Sequence, residues 1–174
     1  MARSSTDARP ENPVRPTFSW VYQTPSRIFA FGFGSGLIRP APGTWGTLAG
    51  WLIWAVLLHR LPDAPMAVFL LLAFVLGCWV CHRAGRDLGV SDHGGMVWDE
   101  MVAIWLVLWL SPPSWTAQIW AFVLFRFFDI VKPPPIRYFD RRWNNGFGVM
   151  WDDLLAAAYS LLVMAVLVRI GYVY

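Results

Sequence analysis

Five apolar runs, each divided from the next by a Pro-, Gly- or charge-rich connection, constrain this chain more than any other feature. They cover Thr44–Leu58, Met66–Cys81, Met101–Leu110, Trp115–Val131 and Leu154–Val168. Leu61-Pro62-Asp63-Ala64-Pro65 separates the first two, and Ser111-Pro112-Pro113-Ser114 the third and fourth. Most runs fall short of the ~20 residues that cross a hydrocarbon core. Short runs can still borrow flanking residues, tilt or thin the bilayer. The expected fold class is all-α: a compact bundle of about five or six helices at membrane depth. Composition agrees, with 57% hydrophobic and only 14% charged residues, against roughly 25% charged in an ordinary soluble domain.

At 174 residues the chain is expected to form one domain. Residues 1–16 read as a disordered basic tail, carrying Arg3, Arg9 and Arg15 among Pro10, Pro13 and Pro16, with no apolar stretch of a secretory signal. Residues 17–174 read as a single helical membrane-associated domain. Thr17–Phe31 suits a short amphipathic element at the membrane surface. Gly32-Phe33-Gly34-Ser35-Gly36 and the stretch from Pro40 to Thr47 read as loop, too rich in breakers for a helix. The net charge of +3 is too modest to argue for nucleic acid.

Let the five helices alternate in direction. One end of the bundle then collects the Gly-rich loop, residues 82–95, Asp99-Glu100, residues 129–151 and Asp152-Asp153. Twelve of the fourteen basic residues gather there; Arg60 and Arg169 lie at the other end. By the positive-inside rule that end faces the cytoplasm. Ten of the eleven acids share it, Asp63 being the exception. Any chemistry is therefore expected at the cytoplasmic ends of the helices.

Charges beside hydrocarbon are costly and need a partner. Asp99 and Glu100 open one apolar run, Asp152 and Asp153 another, and Asp129 closes a third. A helix start favours an anion, which would explain one acid of each pair but not two. Asp129 stands where the dipole disfavours it; a plain ion pair with Arg126, three residues away, is the bland account of it, and a functional role is favoured over that. Five converging carboxylates would repel one another without a cation. Hard oxygen donors with no Cys or His point to Mg²⁺ rather than Zn²⁺, with Asp99, Glu100, Asp129, Asp152 and Asp153 as metal ligands or catalytic groups. Arg126, Lys132 and Arg137 are candidate phosphate contacts, or equally lipid-headgroup anchors. His93 is a candidate general acid or base near neutral pH. Thr44 belongs to Pro42-Gly43-Thr44-Trp45-Gly46, whose backbone N–H groups can cradle an anion, although no Walker pattern is present. Cys78 and Cys81, inside an apolar run, read as buried small hydrophobes.

These blocks together resemble the phosphatidylglycerophosphatase A family. The matching stretches are Gly32 to Gly36, Pro42 to Thr47, Asp92 to Glu100, Phe125 to Pro133, Pro135-Ile136-Arg137 and Asp140 to Asp153, in family order over roughly 29–158. Trp151 departs from the pattern, standing where an aliphatic residue is usual. The resemblance implies a Mg²⁺-dependent phosphomonoesterase of the bacterial inner membrane. It would remove the terminal phosphate of phosphatidylglycerophosphate and leave phosphatidylglycerol. The family's soluble relatives imply a central helix ringed by others. Signatures of haloacid-dehalogenase and phosphatidic-acid phosphatases are absent from the sequence. Two other readings stay open: a phosphatase of another lipid phosphate such as phosphatidate, and a non-enzymatic membrane cation-binding protein. For the latter, acids near mid-segment would be expected; here they cluster at segment edges.

Overall fold

A computed structural model describes residues 15–174. The tail expected over 1–16 falls outside the described residues except for its last two positions. The helices are α1 (Phe18–Val21), α2 (Pro25–Ala30), α3 (Pro42–Val56), α4 (Asp63–Leu88), α5 (Trp98–Trp109), α6 (Trp115–Val131), α7 (Ile136–Arg142) and α8 (Gly146–Arg169), with 3₁₀ turns at Gly32–Leu37 and Leu58–Arg60. No strand occurs among the described residues. The all-α expectation holds, and the five long helices coincide with the five apolar runs.

Local chemistry sets the ends. Ser114 caps α6 by accepting from the Ala117 N–H at 3.2 Å, and Asn145 caps α8 by accepting from the Gly148 N–H at 2.9 Å. Gly89 ends α4 in the left-handed region at φ 72°. The apolar run Met66–Cys81 underestimates α4, which continues through polar residues to Leu88. At 1.5 Å per residue α4 and α8 are about 39 and 36 Å long. Both are long and apolar enough to cross a membrane.

α5 lies at the centre, packed against α3, α4, α6 and α8. Nearly all of it is buried, from Trp98 and Asp99 to Leu108. Its indoles fasten the ring of helices: Trp105 Nε1 donates to the Gly50 carbonyl at 2.8 Å and Trp98 Nε1 to the Ala73 carbonyl at 3.0 Å. The outer faces are apolar and exposed, as at Leu52, Leu71, Leu72, Val75 and Ile119. A soluble monomer rarely shows apolar surface so continuous; against lipid it needs no cover.

One expectation needs correction. Pro42 to Thr47 is not loop but the first turns of α3. Proline at N1 is preorganised for a helix, and the glycines serve packing. A Cβ at Gly46 would collide with Val97, and one at Gly50 would come within 2.9 Å of Ile104. Small residues at this spacing let α3 approach α5 closely, as membrane helices require. The true break lies earlier, where Phe33 and Gly34 take φ of 57° and 96°.

The alternation of direction is also observed. At one end Asp63, opening α4, accepts from Trp109 Nε1 of α5 at 3.1 Å. At the other, a Cβ on Gly146 of α8 would strike the Cys78 carbonyl of α4, and Arg126 of α6 meets Glu100 of α5 at 3.6 Å.

Candidate functional site

Three helix ends and one close approach build the site. The first turn of α5 supplies Asp99 and Glu100; the last two turns of α6 supply Arg126 and Asp129. The second turn of α8 supplies Asp152 and Asp153. Gly43 brings α3 against them: a Cβ there would strike Glu100 Oε1 and come within 2.9 Å of Arg126 Nη2. A side chain at this point would have to displace those two groups.

The structure divides the five predicted acids into two kinds. Asp129 and Asp152 are neutralised by ion pairs. Arg126 Nη1 donates to Asp129 Oδ2 at 2.5 Å, and Lys132 Nζ donates to Asp152 Oδ2 at 2.5 Å and to Asp140 Oδ1 at 2.8 Å. Asp99, Glu100 and Asp153 form the second kind. Each offers one carboxylate oxygen to a group whose members lie within 4.8 Å of one another. Asp99 Oδ1, Glu100 Oε2 and Asp153 Oδ2 are buried and lack hydrogen-bond partners. Glu100 is only partly compensated, its other oxygen 3.6 Å from Arg126 Nη1; buried carboxylates without full compensation cost several kcal/mol, and three together ask for a cation. Asp99, Glu100 and Asp153 would be the residues to hold such a cation, and their hard oxygen donors suit Mg²⁺.

Lys132 is the most unusual backbone position of the site. It caps α6 in the left-handed region, at φ 44° and ψ 64°. A residue with a side chain carries a cost of about 1 kcal/mol there. The conformation turns the ammonium back across to α8. Burial alone would pull the Lys132 ammonium down, but the Asp152 and Asp140 carboxylates outweigh it and hold it above the ordinary lysine value. It stays charged at every physiological pH.

The other predicted residues are placed as follows. His93 Nδ1 accepts from the Gly95 N–H at 3.0 Å, and its ring lies 5.9 Å from that of Phe31. Partial burial, with the charge of Arg39, lowers its pKa below the usual histidine value, so the ring is neutral at pH 7. Arg137 is exposed and donates to the Val131 carbonyl at 3.3 Å rather than to an acid. The hydroxyl that reaches Arg126 belongs to Thr47, at 3.5 Å, not to Thr44. Thr47 is buried and donates to the Gly43 carbonyl at 2.8 Å. Cys78 and Cys81 are free thiols on α4, Cys81 fully buried.

Sequence reasoning passed over Thr47, Asp140 and Asp92. Asp140 shares Lys132 with Asp152, and Asp92 lines a small cavity with Asp140 and Trp143. For Thr47 the available signal was its position one turn beyond Gly43. For Asp140 it was a second acid within reach of a predicted phosphate-binding lysine. Asp92, Asp99, Glu100, Asp129, Asp140, Asp152 and Asp153, with Arg126 and Lys132, thus form or border this site.

The class this defines is a helical protein with lipid-suited outer faces and a buried centre of hard oxygen donors beside an arginine and a lysine. Comparison with known proteins narrows it. The family model described as phosphatidylglycerophosphatase A matches residues 28–168. The chain is 52% identical over 141 residues to phosphatidylglycerophosphatase A of Haemophilus influenzae, covering 80% of this chain and 86% of that protein. It is 41% identical over 137 residues to the Escherichia coli protein of the same name, covering 78% and 79%. A Bacteroides thetaiotaomicron relative, 39% identical over 147 residues (80% and 91%), carries a provisional name as a phosphatidylinositol-3-phosphatase. No solved structure matches. The chain belongs to the phosphatidylglycerophosphatase A family.

Proposed function

We propose that this chain is a Mg²⁺-dependent phosphatase that hydrolyses phosphatidylglycerophosphate to phosphatidylglycerol and inorganic phosphate. It would work in phospholipid biosynthesis at the bacterial inner membrane, with its site facing the cytoplasm. The observation that carries this reading is the buried Asp99, Glu100 and Asp153 group, its oxygens within 4.8 Å and unpartnered, beside Arg126. The names of the two phosphatidylglycerophosphatase relatives support the substrate. The crowding of basic residues at the acid-bearing end supports the orientation.

Asp99, Glu100 and Asp153 would hold the metal. When bound, it would neutralise phosphate charge and stabilise the departing alkoxide. The remaining work belongs to the chain itself. Arg126 keeps Nε without a partner, a guanidinium donor free for a phosphate oxygen. Asp129 and Thr47 hold that guanidinium in place. Lys132 adds positive charge at the opposite wall. Asp152 has Oδ2 bonded to Lys132 and Oδ1 unpartnered, leaving an acceptor for a proton of the attacking water. Water adds to phosphorus, the P–O bond to glycerol breaks, and the glycerol oxygen leaves as the alcohol once protonated.

The test is phosphate release from vesicles containing phosphatidylglycerophosphate, with and without Mg²⁺. Wild type should require the metal, and Asp99→Asn should lose at least about a thousandfold in kcat. Metal-independent turnover, or an active Asp99→Asn, would sink the site assignment. Faster turnover of phosphatidate or of a phosphatidylinositol phosphate would reassign the substrate and leave the chemistry in place.

A further inference from the structure

Between α3 and α6 runs an apolar groove of about 200 Å³, lined by Leu48, Trp51, Gln118, Ile119, Phe122 and Val123. Its position follows from how the helices pack. α3 is held tightly to α5 by its glycine face, whereas it meets α6 only lightly, so the two outer helices stand apart. The groove opens to the outside of the bundle: Ile119 is 61% exposed and Val123 49%.

Both walls lead to the acid site. On α3, Leu48 follows Thr47, and Thr47 is one turn from Gly43. On α6, Val123 is one turn before Arg126, and Arg126 meets both Thr47 and Glu100. The far end is closed. Trp51 Nε1 donates to Gln118 Oε1 at 2.9 Å, and the Trp51 and Trp115 rings lie 5.9 Å apart. From Gly43 to Trp51, and from Arg126 back to Gln118, is eight residues, or about 12 Å along either helix. The groove is therefore an apolar slot of limited length whose near end, at Leu48 and Val123, lies about one helical turn from Arg126 and which runs down the bundle toward the opposite end.

We propose that this slot holds the upper part of one acyl chain of the lipid substrate while its terminal phosphate lies at Arg126. The inference rests on the lipid-phosphatase reading above and adds where the lipid's apolar part is bound. A lipid phosphomonoester has the required layout, with anionic head and hydrocarbon joined through a glycerol linker. The slot's near end lies about one helical turn from Arg126, a span a glycerol linker covers, and this selects the substrate over a bulk bilayer lipid, which has no reason to reach Arg126. The chain's contact with the slot is made equally in the ground and transition states, so its loss should appear mainly in KM.

Two measurements test it. The first is kinetic, with Val123→Trp and Ile119→Trp filling the slot and Leu72→Trp on the outer face of α4 as control. On dioleoyl phosphatidylglycerophosphate the two slot variants should show KM raised about tenfold, the size of losing one or two buried methylenes. Their kcat/KM on the deacylated, water-soluble phosphate should match wild type, and Leu72→Trp should behave as wild type on both. Equal loss on both substrates, or equal loss in the control, overturns the slot. The second measurement does not depend on turnover. Phosphatidic acid with a diazirine near the ester end of one chain is crosslinked to the protein in detergent and mapped by mass spectrometry. Expected are adducts on Leu48 to Trp51 and Ile119 to Val123, suppressed by excess unlabelled phosphatidylglycerophosphate and lost in Val123→Trp. Adducts spread evenly over α4 and α6, and insensitive to the competitor, overturn the proposal even if the enzyme is active. Absent turnover with competed, localised adducts would instead refute the reaction and keep the slot.

Discussion

The two ends of α5 are built by different rules. At its C-terminal end Trp109 donates to Asp63, and Ser111 Oγ donates to the Val107 carbonyl at 2.6 Å. Each polar group there has a partner or stands near the surface, which is all a helix end requires. At its N-terminal end Asp99 and Glu100 are buried with unpartnered oxygens, and Asp153 brings a third. One helix thus has an end that satisfies the fold and an end that strains it. The lesson is that the surplus of buried charge, not the presence of acids, marks out the candidate site. Asp63 is also a helix-start acid, yet it is explained by one hydrogen bond.

The sharpest break in this comparison is Asp153→Asn. It should abolish phosphate release, by about a thousandfold or more, yet raise metal-free stability by about 1–3 kcal/mol because an uncompensated charge is removed. Thermal unfolding without and with Mg²⁺ reads both effects. Wild type should gain stability on adding metal and the variant should not. A variant destabilised without metal would mean the three acids are not in conflict.

Next in size is Lys132→Met, which leaves Asp140 and Asp152 without their shared cation. Activity should fall about a hundredfold. Stability should fall by about 2 kcal/mol, below the figure for a fully buried pair because Lys132 is 24% exposed. The pH dependence has a definite sign. The folded lysine value is raised, so its stabilisation is complete below the unfolded value of about 10.4 and is lost only as pH rises through the folded one. A stability loss on the alkaline side that begins near pH 8 and disappears in Lys132→Met would contradict this.

Two glycines of α3 separate the site from the scaffold. Gly43→Ala should reduce kcat at least about tenfold with little change in unfolding temperature, since its new methyl meets Glu100 and Arg126, whose ends can shift. Gly46→Ala, pressed against Val97 inside the bundle, should instead lower stability by about 1–3 kcal/mol while the folded fraction stays active. The reverse pattern would place Gly43 in the scaffold. The smallest effect belongs to the quiet end of α5: Asp63→Asn should leave kcat/KM within about twofold and stability within about 1 kcal/mol.

Much of the architecture was legible along the chain. Hydropathy and Pro/Gly punctuation gave the five long helices, and their alternation gave the shared end of Asp99, Asp129 and Asp152. The start of α3 was misread because Gly43 and Gly46 look like breakers when their packing partners are unknown. Val97 and Glu100 lie more than fifty residues away. Thr44 was favoured over Thr47 for a similar reason: which threonine of a helix faces an arginine depends on the helix's rotation in the bundle. Asp140 was passed over because its tie to Lys132 needs the left-handed turn that ends α6.

The sequence by itself determined that costly carboxylates stand at the edges of apolar helices and that those edges share one end. Both follow from local hydropathy and from short connections. Tertiary structure alone decided that Asp129 and Asp152 are ion-paired while Asp99, Glu100 and Asp153 come together with buried, unpartnered oxygens. Coulomb attraction weakens with distance and with exposure to water, so the division of labour among five acids depends on a few ångströms between helices that the order of residues does not specify.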